Sequence, residues 1–153
     1  MDIIFDIDGT LMNLEHRVHF VNGLKYDQKN FEARIKDDTP IPEMVALFDI
    51  LAKHEGNRII FCTGRREKTR EATRLQIDKL TQNILLWDPK LKFPIYMRAD
   101  GDNRSDPEVK SDLYDQIILD GYNPILVFED RASVVEMWRN RGLRCLQCAP
   151  GNF

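Results

Sequence analysis

The sequence predicts a Rossmann-like three-layer α/β sandwich: a central parallel sheet with helices on both faces and a small helical cap insertion. Three observations point there. Short apolar runs alternate with longer helical patterns, the signature of βαβ units and of a parallel sheet covered on both sides. At 153 residues, the chain has the length of one ordinary domain, expected to run from 1 to 153, and buries roughly two-thirds of its unfolded surface around one core. Acids, a hydroxyl and cations follow the ends of several apolar runs, where open parallel sheets bind their ligands.

Taken in order, the first strand is 2–6, DIIFD. It opens "IIFDIDGTL", which sets Asp6 and Asp8 two residues apart and then Gly9, a crowding of carboxylates that a cation makes tolerable. Residues 12–41, "MNLEHRVHFVNGLKYDQKNFEARIKDDTPI", interrupt the alternation. Their spacing predicts one or two short helices forming a cap over the strand ends. Pro42 suits the first turn of a helix reaching about His54, with Gly56 as its stop signal. The second strand, 58–62 (RIIFC), leads into Thr63, Gly64 and Arg65. A highly charged helix is expected over 67–82, a strand at 95–98 (IYMR), and a helix capped and opened by Asp106-Pro107 that ends near Gly121. Strand 125–128 (ILVF) delivers Glu129 and Asp130, helix 132–141 stops before Gly142, and 143–147 (LRCLQ) is the last strand. There is no repeat, low-complexity tract or linker.

Composition narrows the function classes. The chain holds 22 Lys+Arg against 25 Asp+Glu, a formal charge of −3. That balance argues against a coat of contacts along a duplex but permits a grip on one or two phosphates. No run approaches the roughly 18 apolar residues of a membrane span. A strand pattern starts at Asp2 with no signal-like segment, so no membrane is expected and the chain reads as cytoplasmic, in the host cytoplasm for a phage-encoded protein. Cys62, Cys145 and Cys148 are an odd number with one inside a strand, which disfavours a disulfide framework; Cys145 and Cys148 form a lone CxxC without two further zinc ligands nearby. Arg66, Arg70 and Arg74 recur beside Glu67 and Glu71, the pattern of a salt-bridged solvated helix face rather than a nucleic-acid track. His16 and His19 are expected in cap packing or at the surface, and Trp87 and Trp138 in the core or an interface.

The order "FDIDGTL", "FCTGR", "DPEVK", "VFEDR", spanning Phe5 to Arg131, resembles the four motifs of the haloacid dehalogenase (HAD) superfamily of phosphatases. Through "GDNRSDPEVK" (101–110) and the tail "VFEDRASVVEMWRNRGLRCLQCAPGNF", the chain is similar to the 3′-phosphatase domain of phage polynucleotide kinase/phosphatases. No GxxxxGK[ST] occurs, so a 5′-kinase activity is not expected of this chain. The resemblance implies a magnesium-dependent phosphomonoesterase, and the residues support the chemistry by themselves. Asp6 is the nucleophile that forms an aspartyl-phosphate. Asp6 and Asp130 hold Mg2+ with the backbone carbonyl of Asp8, and Glu129 ligates it, positions its water or positions Lys110. Asp8 protonates the leaving alcohol and then activates water. Thr63 and Gly64 meet the phosphate, Lys110 supplies a fixed charge to the pentacoordinate state, and Arg65 grips the transferring group. Asp106, four residues before Lys110, braces that lysine. Arg17 and Arg104 are candidate contacts to the substrate's backbone or base.

The insertion is too small for a closed chamber, as is the 83–105 region, so an open site is expected. That fits 3′-phosphate ends of DNA or RNA, with a separate polynucleotide kinase or ligase as partner. Two other readings stand beside it. One is a nucleotidase for small (deoxy)nucleoside monophosphates, and the other is a non-catalytic module that holds phosphorylated partners.

Overall fold

The computed structural model describes residues 1–22 and 25–151; the Trp87 side chain also lies outside the described residues, so the expectation for it is not carried further. In chain order the elements are β1 (Asp2–Phe5), β2 (Met12–Asn13), α1 (Glu15–Asn22), α2 (Gln28–Ala33), β3 (Thr39–Pro40), α3 (Pro42–Lys53), β4 (Arg58–Arg66), α4 (Arg70–Trp87), β5 (Ile95–Arg98), α5 (Asp106–Leu119), β6 (Pro124–Arg131), α6 (Ala132–Asn140) and β7 (Arg144–Gly151).

Five strands form one parallel sheet in the order β5-β4-β1-β6-β7. β1 lies at its centre, and the chain winds outward from it in both directions. The carboxyl ends of β1, β4 and β6 therefore meet at the point where the winding reverses, the crevice in which such sheets bind ligands. The expected three-layer α/β architecture is the one observed.

Alternation along the strands explains the two layers of helix. Ile3, Phe5, Ile59 and Phe61 face α3 and α4, meeting Phe48, Ile77 and Ile84. Ile4, Ile60, Cys62 and Val127 face the other way, against Ile117 of α5 and Val134, Val135 and Trp138 of α6. Phe5 stacks on Phe128 with ring centroids 4.5 Å apart and meets Phe48 edge-on at 5.5 Å. Rings of this size contribute roughly 1.5–3 kcal/mol each when fully buried, so the first layer is anchored directly beneath Asp6. Trp138, fully buried, crosses Tyr114 edge-on in the second layer, in the core as expected.

Several boundaries differ from the sequence reading: α4 runs on to Trp87, β6 spans Pro124–Arg131 and β7 reaches Gly151, and three further differences bear on the site. β4 runs on through Arg66, because Thr63 and Arg66 still pair with Met97 and Arg98 of β5 across an irregularity. A short 3-10 turn at Glu67–Thr69 delays α4 to Arg70. Ser105 rather than Asp106 is the N-cap of α5, its N–H donating to the Glu108 carboxylate at 3.0 Å, so Asp106 stands in the first turn with its side chain free for other partners.

The insertion is closed at its base by β2 pairing antiparallel with β3, Met12 opposite Pro40 and Asn13 opposite Thr39. Between them α1 and α2 lean over the carboxyl edge of the sheet. Neither helix carries a large apolar face of its own; what fixes this small unit is charge, as the site shows.

Candidate active site

Asp6 directly follows β1, and its N–H donates to the Phe128 carbonyl at 3.0 Å. β6 brings Glu129 and Asp130 alongside, and the first turns of α5 bring Lys110. Lys110 Nζ donates to Asp6 Oδ1 at 2.6 Å and to Glu129 Oε2 at 2.7 Å. All four groups are buried. Desolvation, then the charge of Glu129, pushes the Asp6 carboxyl well above the usual range despite Lys110. The same two causes push Asp130 up to about 7. For Lys110, desolvation favours the neutral amine, but Asp6 and Glu129 outweigh it and the ammonium is held well above its ordinary pKa. Three acids against one lysine leave this pocket short of positive charge.

Asp6, Glu129 and Asp130 each offer a carboxylate oxygen within 4.8 Å of the others, the group among the described residues able to hold a metal ion. An all-oxygen, anionic set suits a hard divalent cation such as Mg2+. The backbone is shaped to this cluster too: a methyl group on Gly9 or on Gly151 would overlap Asp130 Oδ2. Gly9 also turns the chain out of β1 at φ +81°, a conformation that favours glycine. The sign of the pH dependence follows. Asp130 has a folded pKa above its unfolded one, so the native protein binds the extra proton and loses that stability as pH rises through about 7. Metal-free protein is expected to melt at falling temperature between about pH 4 and pH 7, and MgCl2 to restore more stability at the upper end. Thermal melts with and without chelator check this, with Asp130→Asn flattening both trends.

Asp8 is held differently. Its carboxylate accepts from Arg65 Nε at 3.0 and 3.1 Å, from Arg65 Nη2 at 2.5 Å and from Arg17 Nη2 at 2.7 Å. Burial alone would raise its pKa; Arg65 and then Arg17 hold it below the usual range. Both arginines continue to Asp38, which sequence reasoning missed. Arg17 Nε and Nη2 donate to it at 2.6 and 2.7 Å, and Arg65 Nη2 at 2.9 Å. His16 Nε2 lies 3.0 Å from Asp38 Oδ1, which places this histidine in cap packing; His19 rests against Phe20. Arg65 Nη1 is taken by Gln76 at 2.7 Å and Thr73 at 3.3 Å.

These contacts bear on two expectations. Arg17 is fully buried under the cap, with its guanidinium 4.2 Å over the Phe31 ring and its hydrogen bonds on Asp8 and Asp38. Arg65 lines the cleft and directs every donor nitrogen to protein acceptors, with Asp8 foremost. The Asp106 carboxylate binds Arg98 Nη2 and, at 2.5 Å, Arg131 Nη1; toward Lys110 it acts through its charge rather than a hydrogen bond. Arg98, also missed from sequence, donates to the carbonyls of Gly64, Asp102 and Arg104 at 3.0, 3.2 and 2.7 Å, tying the end of β5 to the loop before α5. A Cβ on Gly64 would stand 3.0 Å from Asp106 Oδ1, so the glycine lets that acid close over β4.

Thr63 is 1% exposed, and its Oγ1 accepts from the Arg65 N–H at 3.3 Å. Arg104, by contrast, is exposed and forked onto Asp102 and Asp112. Both line one cleft of about 560 Å³ with Asp6, Asp8 and Lys110; Val21, Tyr26, Phe31 and Glu32 of the cap form a facing wall. Of the arginine series on the charged helix, Arg70 binds Glu67 and the Ile95 carbonyl and Arg74 the Phe93 carbonyl, away from the cleft; Arg66 alone of the three lines it. Cys145 is buried and Cys148 lies 3.5 Å from Thr10 Oγ1; both are free thiols.

Comparison with known proteins places this geometry. The family model of the polynucleotide kinase PNKP phosphatase domain matches residues 1–153. The chain belongs to this family. It is a HAD-type phosphatase domain, a phosphoric monoester hydrolase by class. A protein of Autographa californica nuclear polyhedrosis virus, described as a bifunctional polynucleotide kinase/RNA ligase, is 28% identical over 138 residues, which are 90% of this chain and 18% of that protein. Among solved structures, a chain of the Pnkp1/Rnl/Hen1 RNA repair complex superposes with a TM-score of 0.75 at 25% identity, over 99% of this chain and 43% of the other. A haloacid dehalogenase-like hydrolase from Streptococcus pneumoniae shares the fold, with a TM-score of 0.59 at 16% identity over 95% of this chain and 83% of its own. The phosphatase domain thus spans less than half of the repair protein and under a fifth of the viral one.

Proposed function

We propose that the chain is a magnesium-dependent 3′-phosphatase of nucleic-acid ends that works through a phosphoryl group carried on Asp6. The observation that carries the reading is the Asp6 carboxylate fixed by Lys110 at the floor of a cleft, between an acid cluster suited to a hard cation and a second carboxylate on its own strand end. Mg2+ held by Asp6, Asp130 and the Asp8 carbonyl would neutralise phosphate oxygens and keep Asp6 ionised. Glu129, engaged by Lys110, steadies the lysine beside that set.

The residues divide the work. Asp6 attacks phosphorus as Lys110 and the Thr63 hydroxyl stabilise charge on the equatorial oxygens. Asp8 must give a proton to the leaving 3′-oxygen, then take one from the water that attacks the aspartyl-phosphate. In the free protein its two arginines keep it ionised, ready for the second task. An arriving phosphate dianion opposes that effect, since a neighbouring like charge raises a carboxyl pKa. Arg65 and Arg17 therefore act through Asp8, setting its position and charge.

Support for nucleic-acid ends comes from the family and from the likeness to chains of a kinase/ligase and of an RNA repair complex, which also supports a kinase or ligase as working partner. A substrate panel tests it. With Mg2+, phosphate release is expected from 3′-phosphorylated oligonucleotides and not from 5′-phosphorylated ones. Preferential release from free nucleotides would transfer the assignment to a nucleotidase, and release from none of them would leave a binding module.

A further inference from the structure

Among the described residues, charged side chains tie the cap to the rest of the domain at two places. One is the Arg17–Asp38–Arg65 knot behind Asp8. The other crosses the cleft mouth and has no part in the chemistry above. Glu32 on α2 accepts from Lys68 Nζ at 2.7 Å and from Gln28 Nε2 at 2.7 Å, and lies 3.9 Å from Arg66 Nε. Arg66 in turn donates to Asn103 Oδ1 at 2.7 Å on the loop opposite. Arg66 and Glu32 are part-covered, 18% and 10% exposed at the side chain, while Lys68 is half-exposed. Both Arg66 and Glu32 line the cleft that holds Asp6.

The chemistry of this clasp is that of an anion site filled from within. A carboxylate and a phosphodiester each present two oxygens sharing one negative charge, and an arginine fork fits either. The Arg66–Glu32 contact is long at 3.9 Å, and Lys68, the closer cation, is half-exposed and well screened, so an incoming phosphate displaces Glu32 at small cost. Position agrees: Arg66 lies on the same strand as Thr63, and both line the cleft that holds Asp6, so this cation stands beside the place of the terminal phosphate. Arg70 and Arg74 being turned to the backbone of the β5 region, the cation of that series facing the cleft is Arg66.

We infer that Arg66 and Lys68 bind the phosphodiester next to the terminal nucleotide of a 3′ end, and that Glu32 occupies their place until the strand displaces it. The inference rests on the 3′-end reading above and adds how the site tells a polymer from a mononucleotide. Binding a strand then loosens the outer contact of the cap while the Asp8 knot stays closed.

The test is the ratio of kcat/KM for a 3′-phosphorylated hexanucleotide to that for a nucleoside 3′-phosphate. Arg66→Ala lowers the ratio by about tenfold, and Glu32→Gln raises it by about threefold, because the internal competitor has lost its charge. A clasp that only holds the cap in place would move the ratio in the same direction in both variants, or not at all, and either result overturns the inference. Binding of the 3′-hydroxyl hexanucleotide needs no turnover. Its log–log salt slope shrinks by about 0.7 in Arg66→Ala if one phosphate contact is lost, and an unchanged slope overturns the inference. Should wild-type protein hydrolyse no 3′-phosphate, the 3′-end reading fails, whereas the salt slope still decides the subsite.

Discussion

Asp6→Asn abolishes turnover, by about four orders of magnitude or more, without lowering the melting temperature. The two halves of that result have separate causes. An amide cannot accept the phosphoryl group, so the first displacement has no nucleophile, and water in its place faces one of the slowest uncatalysed hydrolyses. Stability holds because the Asp6 carboxyl is disfavoured as an anion where it sits, by desolvation and by Glu129. Asn keeps the shape and removes a charge from a buried cluster of three acids, and Lys110 retains Glu129 at 2.7 Å. Steady-state phosphate release and a thermal melt on the same preparation check both halves. Activity within tenfold of wild type would refute the covalent role, and a large fall in melting temperature would refute the electrostatic account of the cluster.

Lys110→Met costs both stability and rate. Its ammonium is the cation hydrogen-bonded to Asp6 and Glu129, and all three are buried. Breaking a buried pair from one side costs about 3–5 kcal/mol, which for a chain of this size lowers the melting temperature by on the order of 10 °C. The sign with pH is set by the acids left behind: protonating Asp6 and Asp130 relieves them, so the penalty is smaller at low pH and grows as pH rises. Mg2+ returns part of the stability by supplying positive charge to the same oxygens. It does not return the rate, because the charge beside the transferring phosphate is still missing, a loss of about 10²- to 10³-fold in kcat. Melts across pH and kinetics at saturating Mg2+ separate the two effects.

What the sequence made legible and what it hid divide along contact distance. The strand cores of DIIF, RIIF, IYMR and ILVF, the helix after Pro42 and the stop before Gly142 are set by neighbours within a few residues, and the alternation of these units fixes the layer order. Asp6, Asp8, Thr63, Lys110, Glu129 and Asp130 stand where strands or a helix start deliver them, and the structure brings all of them to one edge. Arg17 was read as a contact to the substrate's backbone or base, and Arg65 as a phosphate contact from its place after Thr63. Their partner Asp38 lies 21 and 27 residues away and, in "KDDTP", looks like an ordinary polar turn. A signal existed: an odd acid just before the helix-starting Pro42, at the exit of an insertion that carries a buried-to-be arginine, is a place to seek a cap anchor. Arg98 was hidden in the same way. At the end of a strand it reads as an exposed terminus, whereas Asp106 of the next helix and three carbonyls draw it inward. Asp106 was assigned to Lys110 on helical spacing alone; its hydrogen bonds go to Arg98 and Arg131, and toward Lys110 it acts through its charge.

The covalent role of Asp6 is tested most directly by trapping the phosphoryl group. A single turnover with a 3′-phosphorylated oligonucleotide and Mg2+, quenched in acid and digested, is predicted to leave a hydroxylamine-labile phosphoryl group on the peptide carrying Asp6. Asp8→Asn should slow both its formation, which loses the acid for the leaving oxygen, and its hydrolysis, which loses the base, and Asp6→Asn should carry none. Phosphate released at the wild-type rate with no phosphoryl group on Asp6 at any quench time, or with the group on another side chain, would contradict the account.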